Sequence, residues 1–241
     1  MVARAVVLLH GFGSTGAIFA PITERLSDRY AVHHPDLPGH GAARGALARE
    51  PETPAFAEVV DYLAQLLPER FTLLGYSLGG RIALQFALAF PHRLERLVLV
   101  STTAGIEDAL QRQARRQSDL AWAKALETEP YDAFIERWRS QPLFAGEPPA
   151  AAARSRSCQL ENDPLALAAV MRRLGTGSME PLWGRLGELQ MEALCVAGSR
   201  DERYLRIAKR LADALPHGRL QVIEGGHNLV AEAPEALADL L

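Results

Sequence analysis

The stretch LLGYSLGGR, residues 73–81, sets a single serine, Ser77, among three glycines at the end of an apolar run. Upstream, residues 71–74 read as a short strand; downstream, residues 78–90 carry helical apolar spacing that stops at Pro91, which cannot continue a helix. The segment is therefore strand, G-x-S-x-G, helix, and that context separates a nucleophile elbow from a chance match. Gly75 and Gly79 allow a turn sharp enough to hold the serine strained, its hydroxyl exposed at the carboxyl end of a sheet.

Working outward, the same alternation recurs. Strand-like runs at 5–9, 30–34, 71–74 and 96–100 are separated by amphipathic stretches such as 55–67, a pattern that calls for parallel strands joined by crossover helices. It resumes at 193–197 and 220–223, with a helical stretch at 205–215 between them, so both ends belong to one sheet. Residues 102–185 read differently: helical, rich in Ala, Arg, Glu and Trp, without a convincing strand, and broken by Pro142, Pro148, Pro149, Pro164 and the GTG of 175–177. The expected fold is α/β, a mostly parallel central sheet flanked by helices. Residues 1–101 and 186–241 form the core, and 102–185 an inserted helical cap.

Composition narrows the function. Of 241 residues, 48% are apolar and 23% charged, the balance of a soluble globular chain, and a net charge of −3 gives no reason to expect nucleic acid as partner. Cys158 and Cys195 match neither a disulfide framework nor a metal-ligand spacing. No cofactor or metal is called for. No segment is long and apolar enough to span a bilayer, and the N-terminus lacks the pattern of a signal peptide, so the expected location is cytoplasmic. Oligomeric state is not legible.

A serine hydroxyl is nearly unreactive at neutral pH and needs a base, itself oriented by an acid. Asp201 in VAGSRDER and His227 in VIEGGHNL each follow a strand run, where catalytic groups gather in open α/β sheets. Asp201 also suits a helix N-cap. His33, His34 and His92 read as surface residues, and His40 as a structural hydrogen-bonder.

Serine, acid and histidine in that chain order resemble the α/β-hydrolase family, as do LLHGFGSTG (8–16) and DLPGHG (36–41). The resemblance runs from Val6 to about Leu229. It implies an oxyanion hole made by the backbone N–H groups of Phe12 and Leu78.

Arg81, four positions beyond Ser77, stands about one helical turn away on a similar face, within reach of an anionic substrate group or, alternatively, of a core or cap carboxylate. The cap segments ARRQSDLAWA (114–123), FIERWRSQPLF (134–144) and the run 161–186 resemble one branch of the family, the 2-succinyl-6-hydroxy-2,4-cyclohexadiene-1-carboxylate synthases of menaquinone biosynthesis. That likeness implies a lyase releasing pyruvate from a small polycarboxylate, with Ser77, Asp201 and His227 as a proton-abstracting triad. It implies Arg81 and Arg115 as carboxylate partners and Tyr76 and Trp138 as pocket lining. Two positions depart from the branch: Ser101 stands where it has a glutamate, and Gln159, with Arg156 nearby, where it has an arginine. The competing readings are a carboxylesterase or carbon–carbon bond hydrolase using an acyl-enzyme, and a non-catalytic module that holds a small acid.

Overall fold

The computed structural model describes residues 4–48 and 54–241. The remaining positions of the expected core lie outside the described residues. Six strands, β1 (Arg4–Leu9), β2 (Tyr30–His33), β3 (Phe71–Tyr76), β4 (Leu94–Val100), β5 (Glu192–Gly198) and β6 (Gly218–Ile223), form one sheet in the order β2-β1-β3-β4-β5-β6. Every pairing is parallel. The inner strands are apolar on both faces, because helices cover both sides: Val7, Leu9 and Leu73 join the core on one face, and Val6, Leu8 and Leu74 the core on the other.

Among the described residues ten α-helices pack around the sheet: α1 (Ala20–Leu26), α2 (Phe56–Leu66), α3 (Leu78–Ala89), α4 (Ala109–Thr128), α5 (Tyr131–Arg139), α6 (Pro149–Leu160), α7 (Pro164–Leu174), α8 (Glu202–Ala214), α9 (Leu229–Glu232) and α10 (Pro234–Ala238). Aspartates begin three of them: Asp108, Asp163 and Asp201 each accept a backbone N–H three residues on, at 2.8, 2.9 and 3.1 Å. α4 to α7 form the insertion between β4 and β5, built on an apolar cluster of its own that includes Leu126, Phe134, Ile135 and Leu167.

The ends of the inserted stretch pack with the core. Met179 and Leu182 are buried in the main apolar cluster, the Leu182 N–H donates to Ala104 O (2.7 Å), and the Trp183 indole donates to Gly105 O (2.9 Å). The chain thus leaves and re-enters the core through a stitched pair of segments.

Strand order fixes where a ligand can sit. From β1 the chain moves outward to β2, then returns past β1 to β3 and continues the other way, so the crevice opens at the carboxyl ends of β1 and β3. Phe12 follows the first of these strands and Ser77 the second.

Candidate active site

Ser77 has φ 52° and ψ −106°, a conformation side chains rarely adopt, between the last residue of β3 and the first of α3. The surrounding glycines enforce it. A Cβ on Gly79 would lie 2.1 Å from Leu9 O, and one on Gly75 2.5 Å from Gly79 O. The Ser77 N–H donates to Val100 O (2.9 Å), and the Thr102 hydroxyl donates to Ser77 O (2.8 Å), so β4 holds the turn from behind.

Three side chains converge there. Ser77 Oγ lies 3.3 Å from His227 Nε2, and His227 Nδ1 lies 2.8 Å from Asp201 Oδ2. Because the carboxylate can only accept, the imidazole carries its proton on Nδ1 and presents Nε2 to the serine as an acceptor. Asp201 Oδ1 caps α8 by accepting the Tyr204 N–H. The aspartate is thus both helix cap and imidazole partner. Burial pushes its carboxyl upward, but the hydrogen bonds from His227 and Tyr204 outweigh that and hold it below the usual carboxylate range. The rings of Tyr204 and Tyr76 flank His227, with centroids 4.4 and 5.6 Å away.

The loop after β1 completes this corner. Ser14 N–H donates to Gly11 O (3.2 Å), closing a turn with Gly13 at φ 69°. Gly79 N–H donates to His10 O (3.0 Å), pinning that turn to the serine elbow. The N–H groups of Phe12 and Leu78 make no hydrogen bond within the described residues, and both residues border the cavity beside Ser77.

That cavity, about 630 Å³, is lined by Ser77, Arg81, Arg115, Trp122, Trp138 and Tyr204, among others. Arg81 is buried: its guanidinium donates to Leu174 O (2.6 Å) and lies 5.7 Å from the Phe56 ring centroid, and no carboxylate pairs with it. Burial, reinforced by Arg115 nearby and opposed in part by the Asp119 carboxylate, pulls its pKa down to about 10, so the cation persists at neutral pH with no carboxylate in contact with it. The alternative of a salt bridge to a core or cap carboxylate is not realised among the described residues. Arg115 does make an ion pair, Nε to Asp119 Oδ1 at 2.7 Å, and remains one-third exposed at the cavity wall.

Tyr76 does not reach the large cavity. It is buried beneath Gly11 and borders instead a smaller one of about 60 Å³, which Ser77 and His227 also line. Trp138 lines both cavities, with its ring 5.0 Å from Phe12 and 5.1 Å from Trp122. Arg156 lies outside, paired with Asp132 and Glu136 on the cap surface, whereas Gln159 borders the small cavity with its Oε1 unpaired.

Two site residues carry no signal in the sequence: Tyr204 sits at an ordinary helical position and Thr102 in a featureless loop. Ser101 also has positive φ, 47°, with a buried, unpartnered hydroxyl. DLPGHG, by contrast, gains a physical role. Asp36 accepts the N–H groups of Gly16 and Ala42 (both 2.8 Å), and His40 Nε2 accepts that of Gly13 (3.2 Å), so the motif braces the loop carrying Phe12.

A sequence model described as alpha/beta hydrolase family matches residues 6–240. The chain belongs to the alpha/beta hydrolase family. It is 31% identical over 244 residues, 99% of this chain and 89% of the relative, to a putative 2-succinyl-6-hydroxy-2,4-cyclohexadiene-1-carboxylate synthase of Bacillus subtilis (strain 168). It is 32% identical over 241 residues to the synthase of that name from Enterobacter sp. (strain 638), covering 98% of this chain and 89% of the relative. Among solved structures, MenH from S. aureus superposes with a TM-score of 0.92 at 32% identity, over 100% of this chain and 92% of that one. An enol-lactonase from Burkholderia xenovorans LB400 shares the fold at 20% identity, with a TM-score of 0.80 over 100% of this chain and 90% of that one. As an alpha/beta hydrolase the chain carries its helical insertion between β4 and β5. No helix among the described residues is long and apolar enough to cross a membrane, and no group of three or more candidate metal ligands occurs among them.

Proposed function

We propose that this enzyme is a 2-succinyl-6-hydroxy-2,4-cyclohexadiene-1-carboxylate synthase, which eliminates pyruvate from 2-succinyl-5-enolpyruvyl-6-hydroxy-3-cyclohexene-1-carboxylate. The observation that carries this reading is Arg81, a buried guanidinium with no carboxylate partner, opening with Arg115 onto the cavity that Ser77 borders. A buried cation that no carboxylate touches is costly unless a ligand supplies the anion. The substrate has three carboxylates, and guanidinium matches their geometry in two parallel bonds. The full-length likeness to the synthases supports the same choice.

In this mechanism His227, held by Asp201, takes the Ser77 proton, and the serine oxygen removes the ring proton next to the succinyl ketone. Charge passes to the ketone oxygen, where the N–H groups of Phe12 and Leu78 receive it. Its return through the ring expels the enolpyruvyl group: the carbon–oxygen bond breaks, a second ring double bond forms, and the leaving group takes one proton to become pyruvate. No water is consumed. Arg81 and Arg115 hold carboxylates while Trp138 walls the pocket, with residues 102–185 as the cap over the core and the cytoplasm as the site of action.

The test is pyruvate release and diene absorbance with the enolpyruvyl substrate for wild type, Ser77→Ala and Arg81→Met. Rapid turnover by wild type and its loss in both variants is the expected result. Absence of turnover by wild type, together with Ser77-dependent cleavage of simple esters, would overturn the reading in favour of a carboxylesterase.

A further inference from the structure

Asn162 sits in the turn between α6 and α7, buried at 7% exposure, yet it bonds to two core loops. Its Oδ1 accepts the Gly41 N–H (3.0 Å), which fixes the orientation of the carboxamide, since only the oxygen can face a donor. Its Nδ2 then donates to Gly13 O (3.1 Å), and to Cys158 O (3.0 Å) within the cap. On the other side of the same glycine, His40 Nε2 accepts the Gly13 N–H. Gly13 is thus held at both its N–H and its C=O, one residue beyond Phe12.

We propose that Asn162 is a positioning residue that sets the oxyanion donor of Phe12 from the cap. This rests on Phe12 and Leu78 serving as the oxyanion donors, as proposed above. Oxyanion stabilisation depends on donors already aimed where charge develops, so a small rotation of the Phe12 peptide weakens the transition state more than it weakens substrate binding. The Leu78 donor is fixed by the elbow itself. The Phe12 donor lies in a four-residue turn whose third residue is glycine with positive φ, and a turn of that kind holds its peptide planes only as firmly as its outer contacts do. Asn162 supplies one of those contacts and links it to the DLPGHG loop through Gly41. The cap is thereby part of the reaction centre as well as its roof.

The readout is a trifluoromethyl ketone. Ser77 Oγ bonds to its carbonyl carbon, the serine proton passes to His227, and the carbonyl oxygen becomes an anion in the Phe12–Leu78 site. Asn162→Ala is expected to lower kcat and ketone affinity by the same factor, about tenfold, with KM changed less than twofold; complete loss of one donor costs more, roughly 100-fold. Asn162→Ser serves in its place if the alanine variant does not fold. Thr15→Val is the control: it removes a neighbouring cap–core bond, Thr15 Oγ1 to Glu161 Oε2 (3.1 Å), that does not touch Gly13, and it is expected to leave both quantities unchanged. Ketone affinity unaffected in the Asn162 variant, or an equal loss in Thr15→Val, would overturn the proposal by reducing Asn162 to general cap attachment. Failure of the synthase reading shows separately, as a wild-type enzyme that binds the ketone and releases no pyruvate; kcat and KM are then taken on a p-nitrophenyl ester.

Discussion

Asp119 grips Arg115 by its Nε at 2.7 Å and uses its second oxygen to accept the N–H of Gly177 at 2.8 Å. The carboxylate is buried at 1% exposure, so the pair is a fixed mount and not a solvated ion pair. Holding the inner nitrogen leaves the two terminal nitrogens of the guanidinium for a ligand. Asp119→Ala is expected to raise KM for the enolpyruvyl substrate about tenfold while kcat changes less than twofold, the pattern of lost uniform binding. Steady-state kinetics decide it; an unchanged KM would show that Arg115 needs no mount.

Arg81 lends itself to the opposite kind of experiment. Because no carboxylate touches the buried cation, Arg81→Met should cost little stability, with Tm within about 3 °C of wild type. Catalytic efficiency toward the enolpyruvyl substrate should fall about 100-fold. Calorimetry and kinetics on the same preparation test this, and a large drop in Tm would mark Arg81 as a structural element instead.

The strain at Ser77 makes a prediction about stability alone. Glycine adopts φ 52° freely, so Ser77→Gly should abolish turnover yet raise stability by about 1 kcal/mol, seen as a higher urea midpoint at unchanged m. Gly79→Ala should do the reverse. Its Cβ would meet Leu9 O at 2.1 Å, and the backbone cannot yield there without parting β1 from the elbow, so a loss of at least about 3 kcal/mol is expected.

Acid should loosen the same corner through His10. His10 Nε2 accepts the Leu37 N–H (2.9 Å) and its Nδ1 faces Gly11 O (2.8 Å), an arrangement only the neutral ring can make. Burial lowers its pKa from 6.5 to about 4, and burial also lowers that of His40, 4.9 Å away. The unfolded chain therefore binds more protons than the folded one between those values. Stability contributed by the neutral ring is complete above pH 6.5 and falls as pH drops toward 4, by up to about 1.4 kcal/mol per pH unit for each such group. Urea midpoints measured from pH 7.5 to 4 test the slope, and His10→Gln should flatten it.

The sheet was legible because its inner strands are apolar runs bounded by turn residues, and the helices 56–66 and 78–89 because their apolar periodicity is long enough to count. α9 and α10, at four and five residues, are too short to show a period. Ser77, Asp201 and His227 could be singled out because each occupies a strand-end position in a recognisable order, and the structure brings the three together. Tyr76 borders the small cavity shared with Ser77 and His227 and not the large one, a division that adjacency in sequence does not record. Asp119, Tyr204 and Asn162 act through partners dozens of residues away or through a shared carboxylate, and no local pattern records such pairings.

The serine and histidine are 150 positions apart in the chain, and β6, the last strand laid down, precedes the histidine loop. Pairings of such long range form late, because closure of the intervening chain must be offset by many contacts at once. During refolding, then, reactivity of Ser77 toward a fluorophosphonate is a clock for completion: it appears only when β3 and β6 have been joined through β4 and β5, whatever helix content has already returned.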